Sequence, residues 1–332
     1  MTHHSMHSLV RSFLAIALSS TTTAPQASAD TTLVVGKAAA TADSIIAVDV
    51  GDKMGFFKKR GIDVKIIDFT GGSKMTQAMV AGGIDIGVGA GTEMAHIVKG
   101  APMMTVCENT TTFPFLSIGV PWDSPIKSIK ELKGKKVGIS SPGSLTDWLA
   151  QELERTEGWA PDAMTRVAIG SGPSSPIAAF RDYLIDAYVG GTSTFLNMEE
   201  KKVGRLLAPI SSFEGPAASG VLFASNHLIQ TNPDGLRAFL AGWIETTYFI
   251  RTNKAGTVQI ERGVTGFSEA VQSKEYDIVV SMFTKDCRFD VDSLATLKRS
   301  FIDLHLLDTP PDMSKLYDEA YLPRTPGIAE SH

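Results

Sequence analysis

Residues 55–64 read Gly55-Phe56-Phe57-Lys58-Lys59-Arg60-Gly61-Ile62-Asp63-Val64, and this step decides the fold. Gly61 stands where a helix must stop and the chain must turn into a strand, a place that favours the left-handed backbone open to glycine. Upstream, residues 44–57 carry a helical pattern; downstream, residues 64–69 are β-prone. A short strand is expected before this unit at 32–36. After it come a helix at 73–81, a strand at 84–88, a helix at 93–99 and a strand at 103–108. Alternation of this kind predicts right-handed βαβ units on a largely parallel sheet.

The same rhythm restarts further along. Strands are expected at 115–120, 136–139, 166–169 and 187–189, with helices at 144–157 and 174–182. Another extended stretch, 220–224, follows a segment rich in Gly, Ala and Ser, and four helices then close the chain at 233–252, 255–263, 269–283 and 291–304. The expected fold is α/β and two-lobed, each lobe a mixed, mainly parallel sheet flanked by helices, with a helical C-terminal part. Residues 30–118 plus 220–332 would form the first lobe and 119–219 the second. The crossings, near 117–121 and 217–222, would act as hinges that let the lobes close on a ligand.

Composition narrows the function. The chain has 332 residues, 43% of them hydrophobic and 20% charged, enough for a buried core. A formal net charge of -5 gives no electrostatic case for nucleic acid or for an anionic membrane. Residues 1–29 read as an export leader: one fixed positive charge, a short apolar stretch, and Ala27-Ser28-Ala29 before Asp30. No cysteine follows that stretch, so no lipid anchor is expected. No later apolar run approaches the roughly 18 residues of a membrane span. The expected location is the periplasm. Cys107 and Cys287 could pair in an exported chain, but spacing leaves the pairing open, with two buried free thiols as the default expectation.

Three segments together resemble the nitrate/sulfonate/taurine and thiamine-pyrimidine branch of periplasmic solute-binding proteins. The first is the 55–64 step. The second runs from Gly71-Gly72-Ser73 to Ala81-Gly82-Gly83-Ile84-Asp85-Ile86-Gly87. The third is Ile129-Lys130-Glu131-Leu132-Lys133-Gly134-Lys135-Lys136-Val137-Gly138-Ile139 followed by Ser141-Pro142-Gly143-Ser144. The resemblance implies a type II periplasmic binding protein fold. It also implies capture of a small organic ligand and delivery to an inner-membrane ABC permease with its cytoplasmic ATPase. The chain is expected to act as a monomer, without cofactor or metal.

In open α/β lobes, ligands bind beyond the carboxyl ends of the strands. Those ends carry Thr70, Gly71, Gly72 and Ser73; Gly91 and Thr92; Thr112 and Phe113; Ser141, Gly143, Ser144 and Thr146; Ser174; Gly191 and Thr192. Hydroxyls and free N–H groups at helix starts can hold a carboxylate or sulfonate without a fixed positive charge. Thr92, Thr112, Ser144 and Thr192 lead as hydrogen-bonding candidates. Asp43 and Glu93 begin first-lobe helices; facing a cleft, Glu93 would suit an amine or aminopyrimidine-like donor edge and set specificity. Phe69, Phe113, Trp148 and Phe195 are candidate apolar walls.

Catalysis finds little support in the residues. His96, His227, His305 and His332 form no metal-binding pair or cluster, and neither a nucleophile elbow nor a Walker-type phosphate loop is present. The Cys-rich motif of the fungal-type pyrimidine-precursor synthase, which resembles this branch, is missing. Menaquinone-pathway enzymes of the same general fold are the remaining enzyme alternative, against which the leader argues. A regulator's sensory domain would be preceded by a DNA-binding helix pair or followed by a membrane span, and neither is read here.

Overall fold

The computed structural model describes residues 1–2, 31–212, 214–215 and 217–324. The expected leader, apart from its first two residues, lies outside them, as does His332. The described strands are β1 (Thr31–Lys37), β2 (Ile62–Asp68), β3 (Ile86–Gly89), β4 (Met103–Thr110), β5 (Leu116–Pro121), β6 (Lys136–Ile139), β7 (Thr165–Ala168), β8 (Ala187–Gly191), β9 (Gly204–Pro209) and β10 (Gly220–Ser225). The described helices are α1 (Asp43–Lys53), α2 (Gly72–Val80), α3 (Ala95–Val98), α4 (Leu145–Thr156), α5 (Ser175–Arg181), α6 (Thr192–Glu200), α7 (Asn226–Thr231), α8 (Pro233–Thr252), α9 (Lys254–Thr265), α10 (Glu269–Val279) and α11 (Val291–Asp303).

Two five-stranded sheets result, ordered β2-β1-β3-β10-β4 and β7-β6-β8-β5-β9. Each is mixed in the same way. β1 runs parallel to β2 and β3, while β10 is antiparallel to β3 and β4. β6 runs parallel to β7 and β8, while β5 is antiparallel to β8 and β9. This is the expected two-lobed α/β architecture. Gly61 ends a 3-10 turn at φ 75° and releases the chain into β2, as its sequence position predicts.

The chain passes between sheets at residues 111–115 and returns between β9 and β10. The expected first crossing, 117–121, is therefore strand β5 itself, and residues 220–222 of the expected second crossing belong to β10. Three elements were not anticipated. α6 opens with Thr192-Ser193-Thr194, which reads as loop; β9 is a half-buried edge strand bounded by Gly and Pro; α7 is a six-residue connector. The expected helix at 93–99 is a 3-10 turn, Gly91–Met94, running into the single turn of α3, and the one at 269–283 is α-helical to Val279 and ends as a 3-10 turn, Val280–Met282.

The C-terminal part completes the first lobe. Phe57 stacks on Phe239 of α8 at 4.6 Å between ring centroids, both rings being buried. Beyond α11, the amide of Asp318 donates to the carbonyl of Thr105 at 2.9 Å, so the tail covers the edge of β4. Cys107 of β4 and Cys287 are disulfide-bonded, which corrects the expectation of free thiols. The segment between α10 and α11 also lies along β4, where the amide of Glu108 donates to the carbonyl of Cys287 at 2.9 Å, and that packing brings together two cysteines 180 positions apart.

Candidate functional site

Strands of both sheets point their carboxyl ends at one cavity of about 90 Å³ between the lobes. That is room for several waters or a compact organic molecule. Four helices start at its wall: α1, α2, α4 and α6. The first lobe contributes Ala38, Ala39, Thr41 and Ala42 from the β1–α1 turn, with Ser44 and Ile45 of α1. Gly71, Gly72, Gly89, Ala90, Glu93 and Ser219 complete that side. The second lobe brings Leu116, Ser140, Ser144, Leu145 and Thr146, then Ser171, Tyr188, Gly190, Gly191 and Thr194, with Phe115 between the sheets.

Two hydrogen bonds cross the rim: Ser73 Oγ donates to the carbonyl of Pro142 at 3.3 Å, and Ser171 Oγ to that of Ala38 at 3.4 Å. Gly71 is required where the lobes meet. Its φ is 147°, and a Cβ there would lie 2.9 Å from Ser141 Oγ. Further out, Arg299 of α11 reaches Glu152 of α4 at 3.1 Å and Glu214 of the returning crossing at 3.4 Å. The lobes are closed on each other.

On the second-lobe wall, the hydroxyls of Ser140, Ser144 and Thr146 bond one another at 2.9–3.0 Å. Each hydroxyl can donate once and accept twice, so the trio keeps acceptor capacity for a ligand. Across the cavity, Ser219 Oγ is tied to Thr110 Oγ1 at 2.8 Å and to the carbonyl of Thr112 at 2.6 Å. Glu93 and Tyr188 are the titratable side chains in the described lining, and no Lys or Arg is among them. Glu93 Oε2 accepts the N–H of Ala90 at 2.8 Å. Burial outweighs that bond and pushes the Glu93 carboxyl up to about 7. Burial raises the Tyr188 hydroxyl as well. Helix amides favour a negative group, and the carboxyl favours a hydrogen-bond donor or a cation.

Of the residues expected at the site, Gly71, Gly72, Glu93, Ser144, Thr146 and Gly191 line the cavity. Ser73, Ser141 and Gly143 sit at the rim; Gly143 takes φ 72° and donates its N–H to Asp147. Thr70 is exposed, and Ser174 precedes α5 without a capping bond. Gly91, Thr92, Thr112, Phe113, Thr192 and Asp43 are not part of the lining. Thr192 Oγ1 instead turns back to Ser117 Oγ and the carbonyl of Pro114, at 2.8 and 3.1 Å. Thr92 is buried with an unpartnered hydroxyl, and Asp43 lies behind the wall. Phe113, Trp148 and Phe195 are core residues, Phe69 packs against the core, and Phe115 and Tyr188 supply the rings. The β1–α1 turn was missed, although Ala38-Ala39-Ala40-Thr41-Ala42 is a run of small residues at a strand's carboxyl end, the signal used elsewhere.

Comparison with known proteins agrees with this geometry. A family model described as NMT1/THI5 like matches residues 43–253. A Brucella abortus protein named as a candidate binding protein is 27% identical over 217 residues, 64% of this chain. The chain covers 65% of that relative's length. A 4-amino-5-hydroxymethyl-2-methylpyrimidine phosphate synthase of Saccharomyces cerevisiae is 26% identical over 229 residues, 62% of this chain and 63% of the enzyme. Among solved structures, the alkanesulfonate-binding protein of Xanthomonas axonopodis pv. citri superposes with a TM-score of 0.75. At 17% identity, covering 88% of this chain and 99% of that one, it shows the periplasmic binding protein fold.

Proposed function

The chain belongs to the NMT1/THI5-like family, and from that premise we propose that it is the solute-binding component of an ABC importer. It captures a small organic ligand between its lobes in the periplasm, hands it to an inner-membrane permease driven by a cytoplasmic ATPase, and does no chemistry on it. The observation that carries this reading is the cavity: helix starts from both lobes converge there on backbone amides, hydroxyls and one buried carboxyl. No helix of the described residues is long and apolar enough to cross a membrane, which fits a separate permease.

The lining favours a ligand class. A carboxylate or sulfonate head suits the starts of α2, α4 and α6. An amine or amino-heterocycle edge suits Glu93, and a flat or apolar body suits Phe115 and Tyr188. Sulfonates, taurine, aromatic acids and pyrimidine thiamine precursors all meet part of this description. Closure requires the ligand to favour the closed arrangement by a few kcal/mol.

The relationship to the yeast synthase favours a second reading, an enzyme acting on a pyrimidine precursor. Against it, the described lining holds neither His nor Cys, and its two titratable groups are both buried. A thermal-shift screen over the four ligand classes tests the proposal. A binding protein melts higher with one class and returns the ligand intact; a synthase releases product.

A further inference from the structure

Behind the cavity wall lies a second group of titratable side chains that capture of a solute leaves unused. Asp43 begins α1, one residue before Ser44 of the cavity lining. Glu261 of α9 and Glu275 of α10 interact with it, and the three side chains are 2%, 6% and 1% exposed. Gln272 donates its Nε2 to Glu261 at 3.2 Å, leaving its own fully buried Oε1 without a partner. The remaining side of the group comes from the other lobe. Ser193 of α6, between cavity residues Gly191 and Thr194, brings a fully buried hydroxyl beside Glu275, and neither that hydroxyl nor the two Glu275 carboxyl oxygens has a hydrogen-bond partner.

No cation faces this group among the described residues. Arg262 of α9 pairs with Glu269, and Lys254 pairs with Asp277. Glu245 of α8 pairs with Arg60, and α8's Arg251 feels Asp286 instead. The remaining neighbour is Tyr276, whose hydroxyl donates to the carbonyl of Ile250 at 2.6 Å. Three carboxyls this close, dry and without a counter-charge can share the space only while protons neutralise them. As ions they need water, and water enters where packing is thinnest. The seam between α6 and α10 is held by a small apolar cluster, Leu196 with Phe267 and Val271, and by the bond from Ser268 to Glu200. α1, α8 and α9 instead share the main core.

We propose that this group is a proton-operated lock on the lobes: neutral, it lets α6 seat against α10 and close the cavity; ionised, it parts that seam. Its consequence for solute capture rests on the function proposed above, but the lock itself needs no solute. Burial raises all three carboxyls, Asp43 to about 6 and Glu261 to about 8, so these two ionise across the neutral range.

Hydrogen exchange on the full chain without ligand tests the lock. After correction for the intrinsic pH dependence of exchange, protection of the helix-bonded amides of α6 at residues 196–200 should fall about tenfold or more between about pH 5 and about pH 9, while amides in α1 and α9 keep theirs. Glu275→Gln should hold the seam shut across that range; Glu261→Gln serves if the first variant does not fold. Constant protection in the wild type overturns the proposal. So does an equal fall in the variant, or a loss that spreads equally to α1 and α9. A chain that binds none of the candidate solutes yet shows the pH-dependent seam would refute the proposed function and leave the lock standing.

Discussion

Glu93 and Gly72 are packed so that only glycine fits: a Cβ at position 72 would overlap Glu93 Oε1. The first residue of α2 and the cavity's buried carboxyl are thus one unit, and Gly72→Ala should displace the carboxyl. We expect that variant to lose ligand affinity by an order of magnitude or more, since it leaves a buried group unpaired at about 1–3 kcal/mol. Calorimetry with the best ligand from the screen checks this.

Glu93→Gln separates charge from shape. The amide oxygen can still accept from Ala90, so melting temperature should move little, while the order of ligand preference changes. Equal affinities for all ligands in both proteins would remove Glu93 from recognition.

Arg299→Gln removes the bridge from α11 to Glu152 and Glu214. Arg299 is partly exposed, so the contribution to closure should be modest, about 1 kcal/mol or roughly fivefold in Kd. The change should appear as faster ligand release in stopped-flow fluorescence, with the unfolding midpoint nearly unchanged.

The disulfide closes a loop that contains the whole second lobe and continues through α10. Replacing Cys107 and Cys287 with alanine should cost about 2–5 kcal/mol, read as a lower urea midpoint. Reduction of the wild type should reproduce the loss.

Stability should fall as pH rises. Asp43, Glu261 and Glu275 keep protons in the folded chain that they release when unfolded, so above the ordinary carboxylate range the folded state binds more protons. The stability that Asp43 and Glu261 contribute is present below about pH 4 and is lost as pH rises through about 6 and about 8, and Glu275, raised by the same burial, adds to the decline. Urea midpoints across that window should decline, and Glu275→Gln should flatten the slope.

The sequence made the architecture legible because its two βα series carry clear punctuation. Gly61 stops a helix, and the run from Gly71 to Gly87 spaces the next helix and strand. Elements whose signals are local and weak were lost: β9 is a half-buried edge, and the first turn of α6 looks like loop. At the site, rules about strand ends found Gly72, Glu93, Ser144 and Thr146. They could not tell which way a hydroxyl turns. Thr192 sits at the right helix start, yet its side chain bonds β5 instead of facing the cavity. The disulfide and the carboxyl group behind α1 join residues far apart in sequence, and only tertiary packing reveals them.

The most direct test of solute capture is a thermal-shift titration in which the ligand is afterwards recovered and weighed by mass spectrometry. Capture predicts a saturable rise in melting temperature with one ligand class, shifted to tenfold or higher ligand concentration by Gly72→Ala, and a ligand of unchanged mass. A changed mass with wild-type protein, absent with the variant, would make the chain an enzyme and contradict the account.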